Sequence, residues 1–481
     1  MIKNPYFYKY FIITAILLVF FGNTCVFAAE QKINSVFTGA NKLNLPGIEI
    51  RPAEYEEGES SPMPEVLKEP ILPRAFRLTG DVLTLSDCLY LAYENNPEIT
   101  EAHLYVQQYE AKVRQSLSLY VPNASLNLVY SDAHLPALNS SMDSSSASLQ
   151  LSHVLYDSGK RIELVNAAQN ALNASHYAFL TTWNQKAYQV TKAYYDLIYA
   201  YWLVGINEDD MSKTQENLTI AQGFYKTGSK ARIDVTQAEM QLRTSEINLT
   251  SSRTALLSAY TNLISIIGAD IKEIENRRID DNLNYKPSLP DRDQLISHMR
   301  ESNPNLSYYE YLRLSSLDMS KSYLADRLPI FSANAMWGAK NKWGLSDPSW
   351  TVSFQLSIPL LKNTESKAYA DEQKAIAGQM ESKAKTAILS LSNQIDTSLI
   401  NIYSGIKRSE MAYRSAETAA LNYKLSYLRY KQGVSTIIEL NNAIDFLNNA
   451  RLEYLKSLYD IRLADAALKQ ALGMPHPPSK E

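Results

Sequence analysis

The chain is poor in the residues that most often carry chemistry. It holds 2 cysteines, Cys25 and Cys88, among 481 residues, too few for a disulfide framework or a cysteine-rich metal site. Its 6 histidines are scattered, and neither H-E-x-x-H nor C-x-x-C occurs, so the usual signatures of catalytic zinc are missing. Neither sign of charge is in excess: 47 Lys+Arg against 51 Asp+Glu leave a formal net charge of -4, which provides no basic face for nucleic acid. Glycine is scarce at 16 residues, and a chain built only of membrane strands needs a turn at every strand end, which argues against a pure β-barrel. Beyond the N-terminus no window of about 18 uncharged apolar residues occurs, so no transmembrane helix is expected in the mature chain. Any part that enters a membrane enters as β-strands. With no candidate nucleophile and base, no catalytic, metal or cofactor-binding residues are assigned, and the chain does not read as an enzyme.

What is present begins with an export signal. Lys3 and Lys9 precede an apolar run from Phe11 to Phe21, followed by Val26-Phe27-Ala28-Ala29. A charged start, a short apolar core and a small-residue exit read as a secretory signal peptide over residues 1–28. The run is about half of the ~20 residues that span a bilayer, which disfavours an anchor. Lipidation at Cys25 is disfavoured too, since Gly22 stands where such sites carry an apolar residue. Residues 29–80 hold Pro46, Pro52, Pro62, Pro64, Pro70 and Pro73 beside the acidic Glu54-Tyr55-Glu56-Glu57, the composition of an extended leader.

The remainder is written twice. Asn96-Pro97 and Pro122 recur as Asn303-Pro304 and Pro329, displaced by 207 residues. Tyr225-Lys226-Thr227-Gly228 and Gly268 recur as Tyr430-Lys431-Gln432-Gly433 and Gly473, displaced by 205 residues. Aligned without gaps, 225–268 and 430–473 share 10 identities in 44 positions. Ordered anchors in register mark a tandem duplication, with a first repeat over 81–270, a linker over 271–284, a second repeat over 285–474 and a short tail over 475–481.

Each repeat reads as two short helices meeting at Asn-Pro (Leu85–Asn95 and Ile99–Leu119; Asp291–Glu301 and Leu306–Asp326), a β-hairpin, and two long helices. The hairpins fall at about 124–156 and 330–359, with polar loops at about 134–146 and 339–348. In the first, Leu126, Leu128 and Tyr130 alternate with Ser125, Asn127 and Ser131. In the second, Trp350, Val352, Phe354, Leu356 and Ile358 alternate with Thr351, Ser353, Gln355 and Ser357. Period two with one apolar and one polar face, over ~10 residues, suits a tilted membrane strand. Four strands per chain cannot close a barrel, and an open edge is not tolerated in lipid, so several chains must share one barrel.

The long helices begin near 160 and 365 and run without proline to the Tyr-x-x-Gly turns. After each turn a heptad sets in: Val235, Leu242, Leu249, Leu256 and Leu263, then Leu440, Leu447, Tyr454, Ile461 and Leu468. Small residues stand three positions later, among them Ala238, Ser245, Ser252, Ala443, Ala450 and Ser457. A seam of one large and one small residue predicts a coiled coil with close backbone approach. Tyr188, Tyr194, Tyr195, Tyr199 and Tyr201 are expected to pack between neighbouring helices. A soluble periplasmic coiled-coil scaffold or adaptor without a pore would account for these helices, but gives no reason for two hairpins with a lipid-like face.

Signal peptide, paired Asn-Pro helices, amphipathic hairpin, long helix, Tyr-x-x-Gly and heptad helix, the set written twice over about 81–474, resemble the TolC-like outer-membrane efflux and secretion channels. The resemblance implies a mainly α fold with membrane β-hairpins: a homotrimer in which long coiled-coil helices form a periplasmic barrel continuing a shared 12-stranded β-barrel. It implies a passive exit duct in the outer membrane, serving tripartite efflux or type I secretion, with no cofactor. Its partners would be a periplasmic adaptor (a membrane fusion protein) and an inner-membrane RND, ABC or MFS pump. The helical hairpin tips carrying Tyr225, Gly228, Tyr430 and Gly433 would meet the adaptor. Family members often ring the closed aperture with two aspartates three residues apart; here Glu439 and Asn442 stand at those positions, and Asp234 is the matching acid of the first repeat. An arginine that holds some relatives closed would fall at Ser435, and Arg232 is the nearest substitute in sequence.

Overall fold

The structure is a computed structural model and describes residues 82–135, 140–268, 278–280, 283, 291–341, 347–361 and 363–474. The segments read as a signal peptide (1–28), a leader (29–80) and a C-terminal tail (475–481) lie outside the described residues, as does most of the linker over 271–284. The first repeat contains β1 (Val82–Leu83), α1 (Leu85–Asn95), α2 (Pro97–Leu117), β2 (Asn123–Leu135), β3 (Ser140–Tyr156), α3 (Lys160–Lys226) and α4 (Arg232–Ile267). After β4 (Arg278–Ile279), the order returns as α5 (Arg292–Ser302), α6 (Pro304–Ala325), β5 (Ile330–Asn341), β6 (Asp347–Ser357), α7 (Asn363–Lys431) and α8 (Ile437–Leu472).

Helix boundaries follow from local chemistry. A capping box starts α1: Asp87 N donates to Thr84 Oγ1 at 3.2 Å, and Thr84 N donates to Asp87 Oδ2 at 3.0 Å. Pro97 ends α1 and opens α2, as the residue before proline avoids helical geometry. Asn96 then serves two helices. Its Oδ1 accepts from Glu98 N at 2.9 Å, capping α2, while its Nδ2 donates to Ile266 O at 2.6 Å in the last turn of α4. The second repeat copies the arrangement: Asn303 Oδ1 accepts from Asn305 N at 3.0 Å, and Nδ2 donates to Ala471 O at 2.8 Å. Gly268 and Gly473 close these clasps at φ of +74° and +87°. A Cβ on Gly473 would lie 2.9 Å from Pro304 Cδ, and one on Gly268 would lie 2.9 Å from Asn95 O. The Asn-Pro and the terminal Gly of each repeat are thus two halves of one contact.

The helical residues form one unit. At ~1.5 Å per residue, the 67 residues of α3 make a rod about 100 Å long. α4 packs along α3 and α8 along α7, with α8 also against α3, and α2 and α6 beside α3. The heptad seams face inward: Leu440, Ala443, Leu447, Ala450, Ser457, Ile461, Ala464 and Leu468 are buried, as are Ala238, Leu242, Ser245, Leu249 and Ser252. Tyr194, Tyr195, Tyr199 and Tyr201 pack against neighbouring elements as expected, Tyr195 beneath the Arg462 guanidinium of α8 and Tyr201 beside Leu249 of α4. Tyr194 is buried and donates to Leu83 O at 3.2 Å, where β1 pairs in parallel with β4, and Tyr199 meets Tyr459 with ring centroids 5.2 Å apart.

The hairpin strands form the core of the other unit, one sheet in the order β2-β3-β5-β6. β2 and β3 are antiparallel, with Leu126 opposite Leu149 and Leu128 opposite Ala147. The apolar face is bare in the single chain: Leu126, Leu128, Tyr130, Trp350 and Phe354 are exposed. The expected loop at about 134–146 is largely strand, since β2 runs through Leu135 and β3 resumes at Ser140. Polar composition marked that stretch as loop, but main-chain pairing continues there, with Ser131 opposite Ser144 and Leu135 opposite Ser140. Hairpin ladders need only backbone N–H and C=O groups.

Candidate functional site: the tips of the helical hairpins

Each pair of long helices turns at a tip built the same way. Gly228, at φ +74°, donates N–H to Tyr225 O at 3.0 Å, and Ser229 N donates to Phe224 O at 2.9 Å. Gly433, at φ +79°, donates to Tyr430 O at 2.9 Å, and Val434 N donates to Arg429 O at 3.0 Å. Both are Schellman turns, in which a left-handed residue satisfies the last carbonyls of a helix. This is the local reason for the Tyr-x-x-Gly pattern.

The two tyrosines of that pattern have different fates. Tyr225 is 47% exposed, whereas Tyr430 is 0% exposed. The Tyr430 ring packs edge-on against Phe224 at 5.8 Å, in a cluster with Leu218, Leu242, Ile437 and Leu440. A surface-contact role for the Tyr430 side chain is therefore corrected: it belongs to the core of the tip. Burial and the nearby Asp234 carboxylate push its hydroxyl up to about 12. Tyr225, Gly228 and Gly433 remain at the surface.

Glu439 stands in the first turn of α8, half-buried, with Asn442 exposed three residues on. Thr436 Oγ1 caps the helix by accepting from Glu439 N at 3.2 Å. The Glu439 carboxylate pairs across the turn, its Oε1 2.9 Å from Arg429 Nη1 in the last turn of α7. Asp234 is half-buried in the first turn of α4.

The position expected to hold a closing arginine holds Ser435, which is buried with no hydrogen-bond partner for its Oγ. Lys230 joins the tips instead, its Nζ donating to Ser435 O at 2.9 Å. Arg232 is exposed. Sequence reasoning missed both Lys230 and Arg429. Each follows from how two turns lie side by side, and neither belongs to a motif or a heptad.

Further along α3 the hairpins meet through polar side chains. Tyr427 donates to Glu216 and Tyr459 to Asp196, each at 2.5 Å. Asn448 donates to Asp210 and Arg451 to Asp209, also at 2.5 Å each. Burial works to raise the Asp209 carboxyl, but Lys213 and Arg451 outweigh it and hold the group below the usual carboxylate range. Asp210 has no such cation, and burial pushes it up. Among the described residues no cluster of His, Cys, Asp or Glu is arranged to hold a metal, and no helix is long and apolar enough to cross a membrane.

The model of the outer membrane efflux protein family matches residues 88–269 and 295–474, one match on each repeat. The chain belongs to the outer membrane efflux protein family. It is 21% identical over 410 residues to outer membrane protein TolC of Escherichia coli (strain K12), covering 79% of this chain and 80% of that one. It is also 21% identical over 350 residues to nodulation protein T of Rhizobium leguminosarum bv. trifolii, covering 70% and 73%. The fold matches the solved outer-membrane channel OprN with a TM-score of 0.72 at 14% identity, covering 82% of this chain and 91% of that one. This efflux protein is an outer-membrane channel component, and its helical hairpins and amphipathic sheet are the elements of that architecture.

Proposed function

We propose that this efflux protein works as a homotrimer, the passive exit duct of a tripartite export machine that docks on a periplasmic adaptor coupled to an inner-membrane pump of the RND, ABC or MFS type. The observation that carries the reading is the four-stranded sheet with a bare apolar face and two ends, β2 and β6, left without an outer strand partner among the described residues. A sheet of that kind becomes compatible with lipid only when other copies pair its edges, and twelve strands, unlike eight, leave a lumen. Residues 1–28 would direct export and 29–80 would form a leader, ahead of two structural repeats over 81–270 and 285–474. The tip surfaces at Tyr225, Gly228 and Gly433 would meet the adaptor, and Glu439, Asn442 and Asp234 would face the periplasmic aperture.

The test is to extract the protein in detergent, measure its mass by light scattering, and record conductance in a planar bilayer. A trimer giving discrete current steps is expected. A monomer that needs no detergent and passes no current would overturn the reading in favour of a soluble scaffold.

A further inference from the structure

Glu439 is the one carboxylate left at the positions where relatives often carry two, so three chains would be expected to present an acidic, cation-selecting ring. The structure gives that carboxylate a counter-charge from its own chain. Arg429 ends α7 and Glu439 begins α8, on either side of the turn at Gly433, with 2.9 Å between Nη1 and Oε1. Both groups sit where their helices favour them, a cation at a C-terminus and an anion at an N-terminus. Among the described residues no ion pair with Glu439 is made by the other cations around the tips, among them Lys226, which is exposed. Lys230 is spent on Ser435 O, Lys431 lies over the Tyr427 ring at 5.5 Å, and Arg232 is exposed on the first tip.

We infer that Arg429 sets the charge selectivity of the entrance by neutralising Glu439 within each chain. The inference rests on Glu439 being an aperture residue. The ring is then three ion pairs, not three free carboxylates, and the closed or narrow entrance discriminates weakly between cations and anions. The pair is partly exposed, with side chains 57% and 40% accessible. It is therefore weak as a structural tie, and removing either partner changes the field at the entrance more than the fold.

The experiment is a charge cycle read by reversal potential across a potassium chloride gradient, at low ionic strength so that screening does not hide the effect. Wild type, Arg429→Gln, Glu439→Gln and the double variant are each purified as assembled protein. Arg429→Gln should raise the cation-to-anion permeability ratio on the order of fivefold, the scale of one unscreened charge a few ångströms away. Glu439→Gln should lower the ratio below wild type, leaving Arg429 bare, and the double variant should return to the wild-type value. If Glu439→Gln moves the ratio and Arg429→Gln does not, the compensation is refuted while the aperture reading stands. If neither moves it, the residues do not face the conduction path, and both readings fall. Should Arg429→Gln not assemble, the exchanged pair Arg429→Glu with Glu439→Arg takes its place. Wild-type selectivity of that exchange supports compensation, and a shifted ratio overturns it.

Discussion

At the scale of single residues, the Tyr430 hydroxyl is a buried group with no hydrogen-bond partner among the described residues. An unsatisfied buried hydroxyl costs about 1–3 kcal/mol, so Tyr430→Phe is expected to leave the protein as stable as before, or more stable. The same residue makes the tip sensitive to alkali. Its folded proton affinity is raised to about 12, above the ~10 of an unfolded tyrosine. The folded state therefore holds the proton more tightly, and this contribution is intact below about pH 10 and lost as pH rises through about 12. Apparent melting temperatures measured between those limits should fall less steeply in Tyr430→Phe than in wild type; parallel curves would remove Tyr430 as the cause. Residue fates of this kind were not legible in advance. Tyr225 and Tyr430 occupy the same place in the same motif, which specifies a turn, whereas burial depends on which helix lies alongside.

At the scale of elements, the sequence carried most of the information. The boundaries of α1, the heptad seams of α4 and α8 and the left-handed turns at Gly228 and Gly433 follow from caps, periodicity and glycine placement. The Ser-rich part of β3 did not, because a ladder held by main-chain bonds leaves no side-chain pattern. The glycines separate two costs. Gly433→Ala meets open space at a left-handed φ and should cost about 1–2 kcal/mol. Gly473→Ala adds a collision with Pro304 and Asn303, and its loss should exceed that of Gly433→Ala by ~1 kcal/mol or more. Denaturant titration of the two variants side by side checks the order, and equal losses would mean the clasp relaxes freely. Between the hairpins, Arg451 is buried against Asp209. Asp209→Asn strands that cation and should cost on the order of 3 kcal/mol, whereas Asp209→Asn combined with Arg451→Met should recover most of it. No recovery would mean that the seam depends on Asp209 for other reasons.

At the scale of the whole molecule, sequence reasoning reached the need for several copies through the strand count. The number three is what the family resemblance implies and stands as a proposal, because edge pairing demands closure without fixing how many chains provide it. The apolar strand face offers a direct check. Phe354 is 66% exposed in the single chain, and Phe354→Asp would set a charge against lipid at a cost of ~2 kcal/mol or more near mid-membrane. The variant is expected to accumulate as unassembled protein when outer-membrane fractions are resolved by native electrophoresis, and normal assembly would show that this face does not meet lipid.

The clasps formed by Asn96 with Ile266 and by Asn303 with Ala471 join the beginning of each repeat to its own end. Neither clasp reaches across to the other repeat, so the peptide between Gly268 and Asp291 carries the chain onward without closing either contact. A gene cut within that stretch would encode two pieces, each keeping its clasp. In evolutionary terms, the ancestor of such a chain need only have been half as long, meeting twice as many copies of itself to build the same ring.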